Sequence, residues 1–200
     1  MKCTVSTNSW RELDINVSLP EMVYNNPRFS VQFNGCFHWC TLLTDSFVFK
    51  ILSFDMSIEQ FLEIQYPDGA VDLEVGEFGM QKLIDLDNSL AMICYANPET
   101  QISDKYFDIW VMKEFGVQES WDKKFSIGPL SRIEGPLSSW NTDKLLWEMS
   151  NGQLASCAVL GDNQGSLTKY NIHGFPTTLQ ADIYHESLVD LGELCGRRMN

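Results

Sequence analysis

Apolar and polar residues alternate with a period of two along much of the chain. In FDIWVMKEFGVQESWDKKFSI, Phe107, Ile109 and Val111 fall on one side of an extended backbone. Trp121, Lys123, Phe125 and Ile127 make a second alternation. The Lys and Glu content would suit a helix, but Gly116 sits between the two runs, where a helix loses ~1 kcal/mol relative to Ala. Polar Gln118-Glu119-Ser120 leads into the second run, and the stretch reads as two strands joined by a turn.

The same pattern recurs. SWREL, QFLEI, SWDKKFSI and SLTKYNI each hold a polar residue, a large apolar one, charge, then an apolar finish. Their large residues are Trp10, Phe61, Trp121 and Leu167, spaced 51, 60 and 46 apart. Apolar strands ILSFDM, FDIWVM and LASCAV precede the last three. A second series, GCFHW, SLAMI, KLLWE and SLVDL, is marked by Cys36, Leu90, Leu145 and Leu188, spaced 54, 55 and 43. Turn formers Asn34-Gly35, Asp87-Asn88 and Asn141 to Asp143 lead into it. Ser57-Ile58-Glu59-Gln60 has capping-box form and would start a helix in isolation. Its place in the repeat argues for a strand instead.

A period near fifty residues holding several short strands predicts an all-β, propeller-like (kelch-like) array of short antiparallel sheets. Such sheets bury their Trp, Phe and Leu positions against one another. Trp10, Trp39, Trp110, Trp121 and Trp147 are therefore expected in the core. The count gives about three blades plus flanking strands around Trp10 and Leu188, so the array is incomplete or open unless its two end pieces combine into one blade.

Composition narrows the function. Of 200 residues, 44% are hydrophobic and 20% charged, which is globular rather than disordered. No apolar run approaches the ~18 residues that span a bilayer, and MKCTVSTNSWREL has no apolar signal region. The net charge of -13 argues against nucleic acid and suits a basic protein partner, or solubility alone. Nine acids and one lysine lie between Asp55 and Asp87. Within that span Asp68, Asp72, Glu74 and Glu77 are the candidate binding residues, against the plainer reading of a solvated loop. The six cysteines read as free thiols packed as small hydrophobes. Cys36, His38 and Cys40 would share one strand face, but no second pair at zinc-like spacing exists; no metal or cofactor is expected. His38, His173 and His185 are scattered, and His38 is expected as a packed or hydrogen-bonded core residue. No nucleophile elbow, P-loop, zincin or dinucleotide motif occurs. The chain is read as a non-enzyme; a carbohydrate-active propeller with paired carboxyls is the competing class.

STNSWREL, FNGCFHW, ILSFDMSIEQF, LAMICYANPET and FDIWVMKEFGVQESWDKKFSIGPL occur in this order. They resemble the F-box-associated region of plant F-box proteins over roughly Val5 to Leu191. DIWVMKEFGVQESWDKKF with GFPTTLQADIYHESLVDL is most similar to the S-locus F-box and S-locus F-box-like branch. The resemblance implies that residues 1–200 form a substrate-recognition domain of a cullin–RING ubiquitin ligase subunit, cytoplasmic or nuclear. It also implies a target protein, in the S-locus branch a basic self-incompatibility ribonuclease. Skp-type adaptor and cullin would bind only through an F-box, and none is expected here. Ser18-Leu19-Pro20-Glu21-Met22-Val23 looks like an F-box opening, but no amphipathic helix runs through the Pro27 that follows. The chain thus reads as a truncated member or isolated domain, and the alternative function is a stand-alone module that binds targets without ligase assembly.

Overall fold

The computed structural model describes residues 2–4, 9–12, 30–43, 48–70, 80–95, 104–160 and 164–182. They form an open array of antiparallel sheets with no α-helix among them. A two-stranded sheet joins β1 (Lys2–Thr4) to β2 (Ser9–Arg11). Sheet I contains β3 (Val31–Phe33), β4 (Cys36–Leu43), β5 (Val48–Asp55) and β6 (Gln60–Gln65). Sheet II contains β7 (Met80–Asp85), β8 (Leu90–Tyr95), β9 (Asp104–Met112) and β10 (Trp121–Ser131). Sheet III contains β11 (Ile133–Asn141), β12 (Lys144–Met149), β13 (Gln153–Ala158) and β14 (Leu167–His173). Within each of these three, strands pair in chain order, the meander of a propeller blade.

The two repeat series find their meaning in this order. Phe61, Trp121 and Leu167 stand on β6, β10 and β14, the fourth strands; Cys36, Leu90 and Leu145 stand on β4, β8 and β12, the second strands. Leu188 lies outside the described residues. The stretch Phe107–Ile127 is the β9–β10 hairpin, with Met112 opposite Trp121 and Phe107 opposite Ile127.

Local chemistry explains the turns. Asn34 and Gly35 have φ of 49° and 74°, and Asp87 and Asn88 have 54° and 56°. Two successive left-handed residues match the twist of a two-residue hairpin, which is why Asn, Asp and Gly occupy them. Leu86 and Ser89 close the second turn with reciprocal backbone hydrogen bonds of 3.0 and 3.1 Å. The capping-box reading of Ser57–Gln60 fails at a residue two positions before it. Asp55 Oδ1 accepts from the Ser57 N–H at 2.7 Å, the Ser57 hydroxyl at 2.6 Å and the Ile58 N–H at 3.3 Å. This turn captures the donors that a helical first turn would have presented, and β6 begins at Gln60.

Sheet II is the centre of the molecule because it buries both faces. Ile84, Ala91, Ile93, Phe107, Ile109 and Val111 pack against Ile133, Leu145, Trp147, Met149, Ala155 and Cys157 of sheet III. The alternate residues Leu83, Leu90, Met92 and Met112 pack against Ile51, Ile64 and Tyr66, from sheet I and the segment after it. Trp147 is fully buried, its ring edge-on to Phe107 at 4.5 Å. Trp39, Trp110 and Trp121 are half-buried. Trp10 corrects the expectation of a core tryptophan: it is 67% exposed. It sits on a hairpin of only two described strands, whereas Trp147 stands on a four-stranded sheet with another packed across it.

His38 is fully buried, as expected of a core histidine. Its Nδ1 lies 2.6 Å from the Ser53 hydroxyl and its Nε2 3.1 Å from the Phe33 carbonyl. Cys36 and Cys40 occupy the same face of β4, and both are free thiols, as are Cys94 and Cys157. Burial pushes the Cys40 thiol up to about 12. Among the described residues no group of three or more His, Cys, Asp and Glu is arranged to hold a metal ion.

Candidate protein-binding surface

The sequence singled out Asp68, Asp72, Glu74 and Glu77 in the connection between sheets I and II. Asp72, Glu74 and Glu77 lie outside the described residues. Asp68 is exposed at the tip of a Pro67–Ala70 turn, closed by the Ala70 N–H on the Pro67 carbonyl at 3.2 Å. Gly69 follows Asp68 with φ of 78°, a conformation glycine adopts without Cβ strain.

The fold brings that turn against the connection between β9 and β10, fifty residues away. Gln118 Nε2 donates to Asp68 Oδ1 at 3.4 Å, and Trp121 Nε1 donates to the Gln65 carbonyl at 3.0 Å. The connection, residues 113–120, is rigid for reasons visible in its own residues. The Ser120 hydroxyl accepts from the Glu114 N–H at 3.1 Å and lies 2.8 and 2.7 Å from the Glu114 and Val117 carbonyls. The Lys113 N–H donates to the Ser120 carbonyl at 3.1 Å. Gly116 takes φ of 81° at the bend. Phe115 points inward, its ring 5.8 Å from Phe33 and 5.6 Å from His38. An inward aromatic and a side-chain clasp thus hold exposed Glu114 and Glu119 on one loop, tied through Gln118 to Asp68.

Chemically this surface offers carboxylates on a rigid support. Lys113 is engaged by Asp122 at 2.9 Å, so its charge is partly offset. Loops held this way on a sheet scaffold are where binding residues concentrate, since the scaffold bears the ordering cost in advance. Sequence reasoning nominated Asp68 and passed over Gln118, Glu114 and Glu119, which the fold places beside it. Their only signal was Ser120, whose hydroxyl could have been read as the clasp of a tight loop. The exposed His173 ends β14, remote in sequence from buried His38, and His185 lies outside the described residues.

Comparison with known proteins agrees with this architecture. The family described as F-box associated beta propeller domain matches residues 4–191. An F-box/kelch-repeat protein of Arabidopsis thaliana is 35% identical over 139 residues, covering 68% of this chain and 34% of its own. A second Arabidopsis thaliana F-box protein is 33% identical over 125 residues, covering 60% of this chain and 27% of its own. The Arabidopsis thaliana F-box protein CPR1 is 23% identical over 205 residues, covering 93% of this chain and 46% of its own. The chain therefore spans between about a quarter and a half of the length of these relatives.

Proposed function

The chain belongs to the F-box associated β-propeller family, and on that premise we propose that it is the substrate-recognition module of an F-box-type ubiquitin ligase. It binds a target protein and catalyses nothing itself. The observation that carries this reading is the family match over 4–191 on a scaffold of three stacked sheets. The relatives are named as F-box proteins, and a module of this kind would present the target to the ligase through an F-box on the adaptor side. Among the described residues no helix is long and apolar enough to cross a membrane, and a cytoplasmic or nuclear setting suits the role.

The target is a basic protein. A net charge of -13, with Asp68, Glu114 and Glu119 exposed on braced loops, accelerates association with a cationic surface and rejects acidic competitors. A basic pistil ribonuclease is the specific candidate, suggested by the likeness of DIWVMKEFGVQESWDKKF to the S-locus branch. The test is the triple reversal Asp68→Lys, Glu114→Lys, Glu119→Lys, measured by surface kinetics against such a ribonuclease at two salt concentrations. The association rate should fall about tenfold at low salt and lose much of its salt dependence. An unchanged rate and salt slope would remove this surface from the site. Copurification with a Skp-type adaptor separates ligase assembly from the alternative, a stand-alone module that holds targets without delivering them.

A further inference from the structure

The face of sheet I that meets sheet II is not covered evenly. On it lie three cross-strand rows, Cys40–Ile51–Ile64, His38–Ser53–Leu62 and Cys36–Asp55–Gln60. Residues directly paired across a ladder share a face, so each row reads as one line of side chains. In the first row Ile51 and Ile64 are buried against sheet II. The second begins covered and ends open: His38 and Ser53 are fully buried, whereas Leu62 is 40% exposed.

The loop of residues 113–120 explains the covered part. Its Phe115 ring lies 5.6 Å from His38, and Gln118 reaches Asp68 just beyond β6. The loop therefore spans sheet I from its second strand to the end of its fourth, and Leu62 lies on β6 beside that span. Strands stand ~4.8 Å apart, so Leu62 is two strand spacings, ~10 Å, from the His38 that Phe115 covers. On its other side Leu62 is followed by the β5–β6 turn, which exposes Ile58 and Met56.

Carboxylates rim this apolar position. Asp55 stands diagonally across from Leu62 on the same face, a relation that places side chains roughly 7 Å apart. Hydrogen bonds from the Ser57 hydroxyl and the Ser57 and Ile58 N–H groups hold its carboxyl below the usual carboxylate range, so it stays charged. Glu114 and Glu119 are exposed on the loop. The turn of residues 55–60 has no cation, and the one cation of the loop, Lys113, is held by Asp122 at 2.9 Å. Glu59 is paired with Arg11, which leaves Asp55, Glu114 and Glu119 as the unneutralised rim.

We propose that Leu62, with Ile58 and Met56, is an apolar seat in that acidic rim, and that it takes an aliphatic side chain flanked by Arg or Lys from the target protein. The proposal rests on the reading of the chain as a target-binding module and specifies what the target must present. The seat supplies the anchor and the slow dissociation, and the carboxylates supply the steering. An anchor lacking flanking cations leaves the rim unsatisfied, and a basic segment lacking an anchor leaves Leu62 in water.

The test uses the full chain and short labelled synthetic peptides, read by fluorescence anisotropy. One has Leu between Lys-Arg and Arg-Lys in a Gly-Ser background, the second has Ser in place of Leu, and the third has Glu in place of the four cations. The wild type should bind the leucine peptide about tenfold more tightly than the serine peptide, the gain expected from burying one aliphatic side chain, and should not bind the Glu peptide. The Ile58→Ser, Leu62→Ser variant, altered only at exposed positions, should keep the wild-type Tm and bind the leucine and serine peptides alike. Glu114→Gln with Glu119→Gln should weaken both basic peptides equally and lower their salt dependence. Preference for the leucine peptide supports the seat whether or not a ribonuclease binds, so the two readings fail separately. Equal affinity for the leucine and serine peptides, or a leucine preference that survives Ile58→Ser, Leu62→Ser, would overturn it. So would a dimer in sedimentation that Leu62→Ser dissociates, because a second copy would then occupy the seat.

Discussion

Trp147 is the residue on which the stacking of sheets II and III bears most visibly. It is fully buried, edge-on to Phe107, among Leu145, Met149, Ala155 and Cys157. Trp147→Ala removes an indole from a site that two sheets keep from collapsing, and large-to-small changes of this kind cost about 4 kcal/mol. With a urea dependence of about 2 kcal/mol per molar, the unfolding midpoint should fall by about 2 M. Against the 5–15 kcal/mol typical of a domain, that is a large share of the total. The indole Nε1 is buried with no hydrogen-bond partner among the described residues, a burden of roughly 1–3 kcal/mol. Trp147→Phe keeps an aromatic contact with Phe107 and removes that burden, so its net cost should be near 1 kcal/mol. Trp10→Ala, at a site 67% exposed, should stay within about 0.5 kcal/mol. Equilibrium urea unfolding followed by circular dichroism reads all three. If Trp147→Ala costs no more than Trp10→Ala, or Trp147→Phe costs as much as Trp147→Ala, the account of the interface is wrong.

Two further predictions concern the backbone and pH. Gly152 has φ of 76°, and a Cβ there would lie 2.2 Å from the Gly174 carbonyl oxygen; Gly69 has φ of 78° with nothing within 4 Å. Gly69→Ala should therefore cost only the left-handed penalty of about 1 kcal/mol, and Gly152→Ala about 2 kcal/mol or more, seen as a drop in Tm roughly twice as large. Burial holds the His38 imidazole below its ordinary 6.5, outweighing the hydrogen bond to Phe33 that favours the charged form. The unfolded chain then binds more protons than the folded one below about pH 6.5, so stability is present above that value and declines as pH falls toward the lowered folded pKa. Urea unfolding between pH 7.5 and 5 should show this slope, and His38→Gln should flatten it.

Much of the array was legible because antiparallel strands with one covered face and short turns write their geometry into the sequence. The β9–β10 hairpin follows from the alternation of Phe107, Ile109 and Val111, and the two left-handed turns follow from Asn34-Gly35 and Asp87-Asn88. The β8 strand is a harder case. Leu90 to Tyr95 reads LAMICY with no alternation, because sheet II is covered on both sides and both faces must be apolar. Only its place in the repeat marks that run as a strand. Ser57–Gln60 shows the opposite failure. A valid local helix signal loses to Asp55, which lies just outside the window in which a capping box is recognised.

What the sequence left hidden is what depends on which faces meet. Trp10 and Trp147 are alike in composition and in their strand settings, yet one is exposed and one is not. The difference is whether another sheet packs across them, a property that belongs to no window of sequence. The candidate surface has the same origin. Asp68 and Gln118 touch only because the end of β6 packs beneath the start of β10, through Trp121 on the Gln65 carbonyl. An acid-rich stretch could nominate Asp68 by counting charges. Glu114 and Glu119 share its surface because Ser120 clasps their loop and Phe115 anchors it, and both contacts exist only after stacking. Recognition surfaces in such arrays should therefore be sought where two sheets join, with the inward aromatic that pins a loop as the first residue to look for.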